Sequence, residues 1–419
     1  MVLRRITIEQ VLAARCPAVE PEALEVARAI VEDVERRREA AVEEYARRFA
    51  ELGPGDPLFV DRAGLMRALD GLTRPDRGRL ERVAGRIRRF AEAQLGSQRD
   101  LSMAIPGATV GHRLVPLGAA GCYVPGGRHP LPSSALMTVV PARVAGVGSV
   151  WVASPRPQPI TLAAAALAGA DGVLAAGGAQ AIAALGLGCG PVPPSDILVG
   201  PGNVYVTAAK FLLSRRTAID ALAGPSEVVI LADRTSDPAT VAADLLAQAE
   251  HDPRALPVVI ALDADVVPGI IAELTRQLRG LPTAEVARAA LMRGGVVVVE
   301  SADQAIEACE RLAPEHVEVL TREPDALASR LTRFGTVFVG AGAGEVLGDY
   351  GAGPNHVLPT GGLARSAAGL SVFTFLKART WMRGPGAADP VLAADAAWLA
   401  RLEGLEAHAR AAERRGGER

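Results

Sequence analysis

Short β-rich runs alternating with helices of ordinary length fill the middle of this chain, and that alternation leaves few architectures open. The pattern changes near Arg113. From there to Asp233, apolar runs at 121–124, 149–153, 172–176, 196–199 and 227–232 are separated by glycines and small-residue helices. A second set follows at 258–261, 295–300, 317–320 and 336–339, with helices expected at 238–250, 266–278, 283–292 and 301–312. A strand that must be followed by a helix before the next strand of its sheet builds parallel βαβ units. The expected fold class is therefore α/β, with two Rossmann-like parallel-sheet modules plus small N- and C-terminal helical segments. The expected division is an N-terminal segment 1–20, a discontinuous first module of 21–112 with 227–370, a cofactor-side second module 113–226, and a C-terminal helical segment 371–419. Amphipathic spacing predicts single helices over 21–49, 77–93 and 389–414.

The 419 residues exceed what one compact core holds. A net charge of −2 and 4% aromatics offer nucleic acid neither an attracting field nor stacking platforms. Cys16, Cys122, Cys189 and Cys309 form no C-x-x-C pair and read as reduced thiols of a cytoplasmic protein. The uncharged run 172–195 is long enough to be tested as a membrane span. It contains Gly177-Gly178, Gln180 and Pro191, Pro193 and Pro194, so it reads instead as strand, turn, helix and loop. No membrane or nucleic-acid partner is expected.

Six histidines occur in all, and imidazole is both the commonest zinc ligand and the usual base near neutral pH. Gln248 and His251 lie three apart in the last turn of a helix that opens with Asp237-Pro238, so both project from one side and suit a shared metal. A histidine answering the helix C-terminal dipole would look the same. Asp349 and His356 sit in the glycine-rich stretch Gly348-Asp-Tyr-Gly-Ala-Gly-Pro-Asn-His356, which is a shaped loop or simply a turn. Glu315 and His316 are adjacent after Pro314, as a general-base unit or as a cap beside a packed imidazole. Glu403 and His408, five apart on the last helix, point about 140° from one another and read as exposed unless a pocket reaches them.

Gly340-Ala-Gly-Ala-Gly344 follows a strand but fails as a dinucleotide fingerprint, because Glu345 occupies the place where spacing or charge would favour glycine. The loops Gly121-Cys-Tyr-Val-Pro-Gly-Gly127, Ala176-Gly-Gly-Ala-Gln180 and Val199-Gly-Pro-Gly-Asn203 are better cofactor candidates. Each lies near the carboxyl end of an expected strand, where open α/β sheets bind ligands.

In sequence order, Tyr123-Val-Pro-Gly-Gly, Gly177-Gly-Ala-Gln-Ala-Ile-Ala-Ala, Val199-Gly-Pro-Gly-Asn, Ala223-Gly-Pro-Ser-Glu-Val, Asp244-Leu-Leu-Ala-Gln-Ala-Glu-His-Asp, Ala313-Pro-Glu-His, Gly348-Asp-Tyr, Asn355-His-Val-Leu-Pro-Thr and Glu403-Gly-Leu-Glu-Ala-His resemble the histidinol dehydrogenase family over nearly the whole chain. The resemblance implies oxidation of L-histidinol to L-histidine by two hydride transfers to NAD through an enzyme-held aldehyde. It implies one Zn²⁺ per subunit on Gln248, His251, Asp349 and His408, with His316 as base and Glu315 activating water. Ser226, His356 and Glu403 would contact substrate alongside the metal ligands and His316, and Tyr123, Gln180 and Asn203 would contact the cofactor. It also implies a homodimer whose C-terminal segment crosses over, so that Glu403 and His408 serve the partner's site. Two stretches depart from the family: Leu185-Gly-Leu-Gly-Cys-Gly190 replaces a Tyr-Gly-Thr stretch, and Asp220-Ala-Leu-Ala lacks a proline often found before Ala-Gly-Pro-Ser. The alternatives are a sister zinc and NAD dehydrogenase acting on another small polar alcohol such as a sulfonated diol, a zinc hydrolase without nicotinamide, and a metal-stabilised binding protein.

Overall fold

A computed structural model describes residues 3–16, 19–126, 129–222, 224–384 and 386–417. Its strands are β1 (Phe59–Val60), β2 (Leu101–Ile105), β3 (Ala108–Pro116), β4 (Ala119–Tyr123), β5 (Ser149–Ala153), β6 (Gly172–Leu174), β7 (Ile197–Val199) and β8 (Ala218–Ile219), then β9 (Glu227–Ala232), β10 (Leu256–Ala261), β11 (Gly295–Val298), β12 (His316–Leu320), β13 (Thr336–Val339) and β14 (Leu376–Arg383). They form a six-stranded sheet in the order β1-β6-β5-β4-β7-β8, a five-stranded sheet β11-β10-β9-β12-β13, and a three-stranded sheet β14-β3-β2. The two larger sheets are parallel except for the antiparallel edge strand β1.

Helices cover both faces of each parallel sheet, which is why β9 and β10 read as unbroken apolar runs with every residue buried. On the six-stranded sheet, Cys122, Val124, Val150 and Val152 face the helices Pro132–Ala145 and Pro159–Ala168, whereas Tyr123, Trp151, Ala153 and Leu198 face Gly178–Leu187 and Val204–Leu213. On the five-stranded sheet, Pro238–Ala249 and Ala284–Arg293 cover one face and Ala302–Leu312 the other. Both α/β modules expected from the alternation are present.

The boundaries differ from the expected ones. The helices of 21–96 pack chiefly on the six-stranded sheet, although Ala84, Ile87 and Ala91 also share a core with Val357 and Leu370: Ala27, Val31 and Val34 meet the alanine-rich helix Gly178–Leu187, and β1 extends the sheet through β6. Residues 3–13 belong to the five-stranded sheet, where Ile6 N–H donates to Val296 O and Leu3 is buried. The stretch 21–49 is two helices, because Arg38 takes φ +52 between Arg37 and Glu39. The last helix is likewise split into Pro390–Leu402 and Glu406–Arg415 at Gly404, φ +75. The segment 371–419 is not wholly helical, since β14 pairs with β3 over eight positions. Among the described residues no helix is long and apolar enough to cross a membrane, and the run 172–195 is β6, a helix and a loop.

Candidate active site

His316 is the first residue of β12, at the amino edge of the five-stranded sheet. Along a strand, alternate side chains share a face, so His316 and Glu318 point where Leu320 packs, toward the helix Pro238–Ala249. That helix is well started: Asp237 accepts the N–H groups of Ala239 and Thr240, and Pro238 occupies its first turn. As a crossover between adjacent parallel strands it runs back to the amino edge, bringing Gln248 and His251 beside His316. Its carbonyl-rich C-terminal end there favours positive charge.

The five-residue helix Glu345–Asp349 closes the site. Its two carboxylates lie four residues apart, on one side of a turn. His316 Nδ1 is 3.9 Å from Glu345 Oε1 and 3.9 Å from Glu315 Oε2, and its Nε2 is 3.6 Å from Asp349 Oδ1. Glu315 is fixed from behind, its Oε2 accepting the Glu227 N–H at 2.9 Å. Glu227 in turn accepts from Arg15, which also donates to Leu312 O. The turn into Glu315 passes through Ala313 at φ +43, a left-handed cap on Ala302–Leu312.

Charge is concentrated here on buried side chains, Glu315, His316 and Glu345 among them. Burial pushes the Glu315 carboxyl up to about 8 and that of Glu345 up to about 7. Burial alone would lower the His316 imidazole, but the carboxylates of Glu345, Glu315 and Asp349 outweigh it and push it up to about 10. Burial also opposes ionisation of Asp349, yet the imidazole of His316 outweighs it and holds this carboxyl below its usual range. Both ring nitrogens of His316 and Oδ1 of Asp349 are buried without a hydrogen-bond partner. Such orphaned atoms are rare unless a ligand or ion completes them. His251, Glu345 and Asp349 offer ligand atoms all within 4.8 Å of one another. A set of imidazole and carboxylate without thiolate fits a borderline divalent cation such as zinc.

These groups line a cleft of about 370 Å³ together with Ser226, His356 and Asn203. His356 Nδ1 is 3.0 Å from Asp349 O, and burial holds its imidazole below the usual range, hence neutral. The far wall is the carboxyl edge of the six-stranded sheet, where Asn203 caps the helix Val204–Leu213 by accepting the N–H groups of Tyr205 and Val206. The loop before it is fastened at Gly200: its N–H donates to Asp220 Oδ2 at 2.7 Å and its carbonyl accepts from Lys210 Nζ at 2.5 Å. Lys210 also pairs with Asp220 Oδ1 at 2.7 Å. At φ +110, with Tyr123 O 2.1 Å from where a Cβ would sit, residue 200 has room for glycine alone.

The family model for histidinol dehydrogenase matches residues 15–416. The chain belongs to the histidinol dehydrogenase family. It is 44% identical to the histidinol dehydrogenase of Thermus thermophilus, covering 96% of this chain and 97% of that one. It is 42% identical to that of Ralstonia nicotianae, covering 97% and 94%. The crystal structure of histidinol dehydrogenase from Elizabethkingia anophelis superposes with a TM-score of 0.91 at 29% identity, over 99% of this chain and 98% of that chain. Like its family, the chain is an NAD-dependent oxidoreductase.

Of the residues that the histidinol dehydrogenase resemblance implies, Gln248, His251, Asp349, Glu315, His316, Ser226, His356 and Asn203 share the cleft. Tyr123 and Gln180 do not line it; both are buried behind the Gly177-Gly178 turn. Tyr123 Oη accepts the Gly178 N–H at 3.2 Å, while Glu51 Oε2 accepts from Gly177 N–H at 2.9 Å and from Gln180 Nε2 at 3.1 Å. The chain's own carboxylate thus sits at the start of that helix, where a phosphate would otherwise bind. Glu403 and His408 are exposed on the C-terminal helices and do not line the cleft of their own chain. Sequence reading missed Glu345 as a site residue, treating it only as the flaw in a glycine fingerprint. Its spacing of four from Asp349 was the available signal.

Proposed function

We propose that this chain oxidises L-histidinol to L-histidine, the closing reaction of histidine biosynthesis, with zinc held by Gln248, His251, Asp349 and His408 of a second copy. The observation that carries this reading is the convergence of His251, Asp349 and His316 in one cleft, with buried atoms left for a ligand to complete. The reaction balances as alcohol plus two NAD⁺ plus water giving carboxylate, two NADH and three protons.

Bound there, zinc supplies a Lewis-acid anchor for the substrate's imidazole and amine, and NAD, as co-substrate, supplies the hydride acceptor. The chain's residues do the rest. While the three carboxylates are free they keep His316 protonated. A cation held by Asp349 would weaken that pull, and His316 Nε2, once deprotonated, would be the acceptor for the alcohol proton. Glu315, raised toward neutrality by burial, is suited to draw a proton from the water that adds to the aldehyde. After His316 has passed the first proton to solvent, a second proton loss to it accompanies the second hydride departure. Ser226 and His356 hold the polar end of the substrate, and Asn203 borders the coenzyme side. Tyr123 and Gln180 support the coenzyme loop from beneath.

The C-terminal helices support pairing of two copies. Trp398 is 64% exposed and Leu402 66% exposed, beside Glu403, an apolar face that a monomer would leave in water. In this reading the segment crosses to the partner and delivers Glu403 and His408 to its cleft. The test is stoichiometry: purified protein with zinc, NAD⁺ and L-histidinol yields two NADH for each histidinol consumed. One NADH per turnover, or reduction with a different alcohol only, overturns the assignment.

A further inference from the structure

Glu345 belongs to none of the roles above, yet it is 3% exposed and stands between Gln248 and His316. Its backbone is anchored independently of the cleft: the Glu345 N–H donates to Glu318 Oε1 at 2.7 Å, which fixes where the following helix begins. With its amide nitrogen turned toward Glu345, Gln248 donates to Oε1 and Oε2 of that carboxylate, each at 2.8 Å. The opposite orientation would set the amide oxygen against two carboxylate oxygens. A glutamine amide has two faces that differ only in which atom each presents, and the hydrogen-bond network decides between them.

We infer that Glu345 is the positioning residue that turns the Gln248 amide, committing its NH₂ inward so that the carbonyl oxygen is the atom left to bind the cation. The inference rests on the metal reading of the site. Metal ligands are routinely oriented by such outer partners. A rotating amide would present a nitrogen that cannot ligate as often as an oxygen that can. The carboxylate of Glu345 also lies near His251 and Asp349, but with both oxygens accepting from Gln248 it acts through that residue rather than as an additional ligand.

A double-mutant cycle on the full-length protein, read as zinc affinity by chelator competition, tests this. Glu345→Ala weakens zinc about ten- to a hundredfold, and Glu345→Gln, which keeps an acceptor for the Gln248 amide, weakens it far less. In a Gln248→Ala background, Glu345→Ala adds no further loss, because the group it orients is gone. Cobalt substituted for zinc shows a changed visible spectrum in Glu345→Ala and a near-native one in Glu345→Gln. Unchanged affinity in a folded Glu345→Ala, or additive losses in the double variant, overturns the inference; additivity makes Glu345 a ligand in its own right. If Glu345→Ala does not fold, Glu345→Gln decides alone: near-native zinc affinity supports the inference, and a loss as large as that of Gln248→Ala overturns it. Failure of the wild-type protein to bind zinc would instead sink the metal reading itself.

Discussion

His316 Nε2 lies 3.6 Å from Asp349 Oδ1, tying the first residue of β12 to the last residue of a five-residue helix. One carboxylate thereby serves two neighbours, the imidazole proposed to move protons and the place where His251 and Glu345 converge. The two duties separate by mutation.

Replacing His316 with alanine removes the base and leaves the proposed ligands in place. Turnover with histidinol falls by about two to four orders of magnitude, while zinc content stays at one per chain. A variant that loses both would return His316 to the ligand set.

His251→Ala does the reverse. The purified variant is expected to contain far less than one zinc per chain by elemental analysis, with its activity lost accordingly. Stoichiometric zinc in that variant would remove His251 from the site.

Gly335 gives a backbone test. A Cβ at this position would sit 2.5 Å from Glu315 O, which also accepts the Thr336 N–H at 2.9 Å. Gly335→Ala therefore displaces Glu315 and its neighbour His316, lowering kcat by about tenfold or more with zinc retained. A wild-type kcat would mean that the turn yields without moving the catalytic pair.

Glu318 offers a pH test of stability. Buried first and then facing Asp244, its carboxyl is held well above the usual range. The folded chain therefore binds this proton more tightly than the unfolded chain does. Stability from this group is complete below the ordinary carboxylate range and is lost as pH rises from there toward the raised folded value. Glu318→Gln, which still offers an acceptor to the Glu345 N–H, lacks that loss. The Tm difference in favour of the variant should grow from pH 5 to pH 8; a constant difference would show that Glu318 ionises normally.

Segment exchange has a genetic signature. If the proposed dimer exchanges its C-terminal segments, inactive His316→Ala and His408→Ala chains, unfolded and refolded together, are expected to form mixed dimers with one intact cleft. Random pairing restores roughly a quarter of wild-type activity. No recovery would place His408 in its own chain's site or outside any.

The parallel modules were legible because buried strands leave continuous apolar runs, as in Val228-Val-Ile-Leu-Ala232. The antiparallel sheet of β2, β3 and β14 was not. Its strands lie on a half-exposed surface, β3 and β14 mix charged and apolar residues, and β14 lies far in sequence from β3. Helix breaks at Arg38 and Gly404 were hidden for a related reason, since the amphipathic stripe continues across a single residue of positive φ. Within the site, the histidines stood out by scarcity. Glu345 did not, because acidic residues are common and only the fold brings this one against Gln248.

The grip of Lys210 and Asp220 on both polar groups of Gly200 bears on how a ligand is received. A clamped loop has little freedom left to surrender, so a coenzyme bound there, as proposed, would demand scant reordering of the chain. Loosening it, for instance by Asp220→Asn, should leave the bound geometry intact and show itself calorimetrically, as a more unfavourable binding entropy.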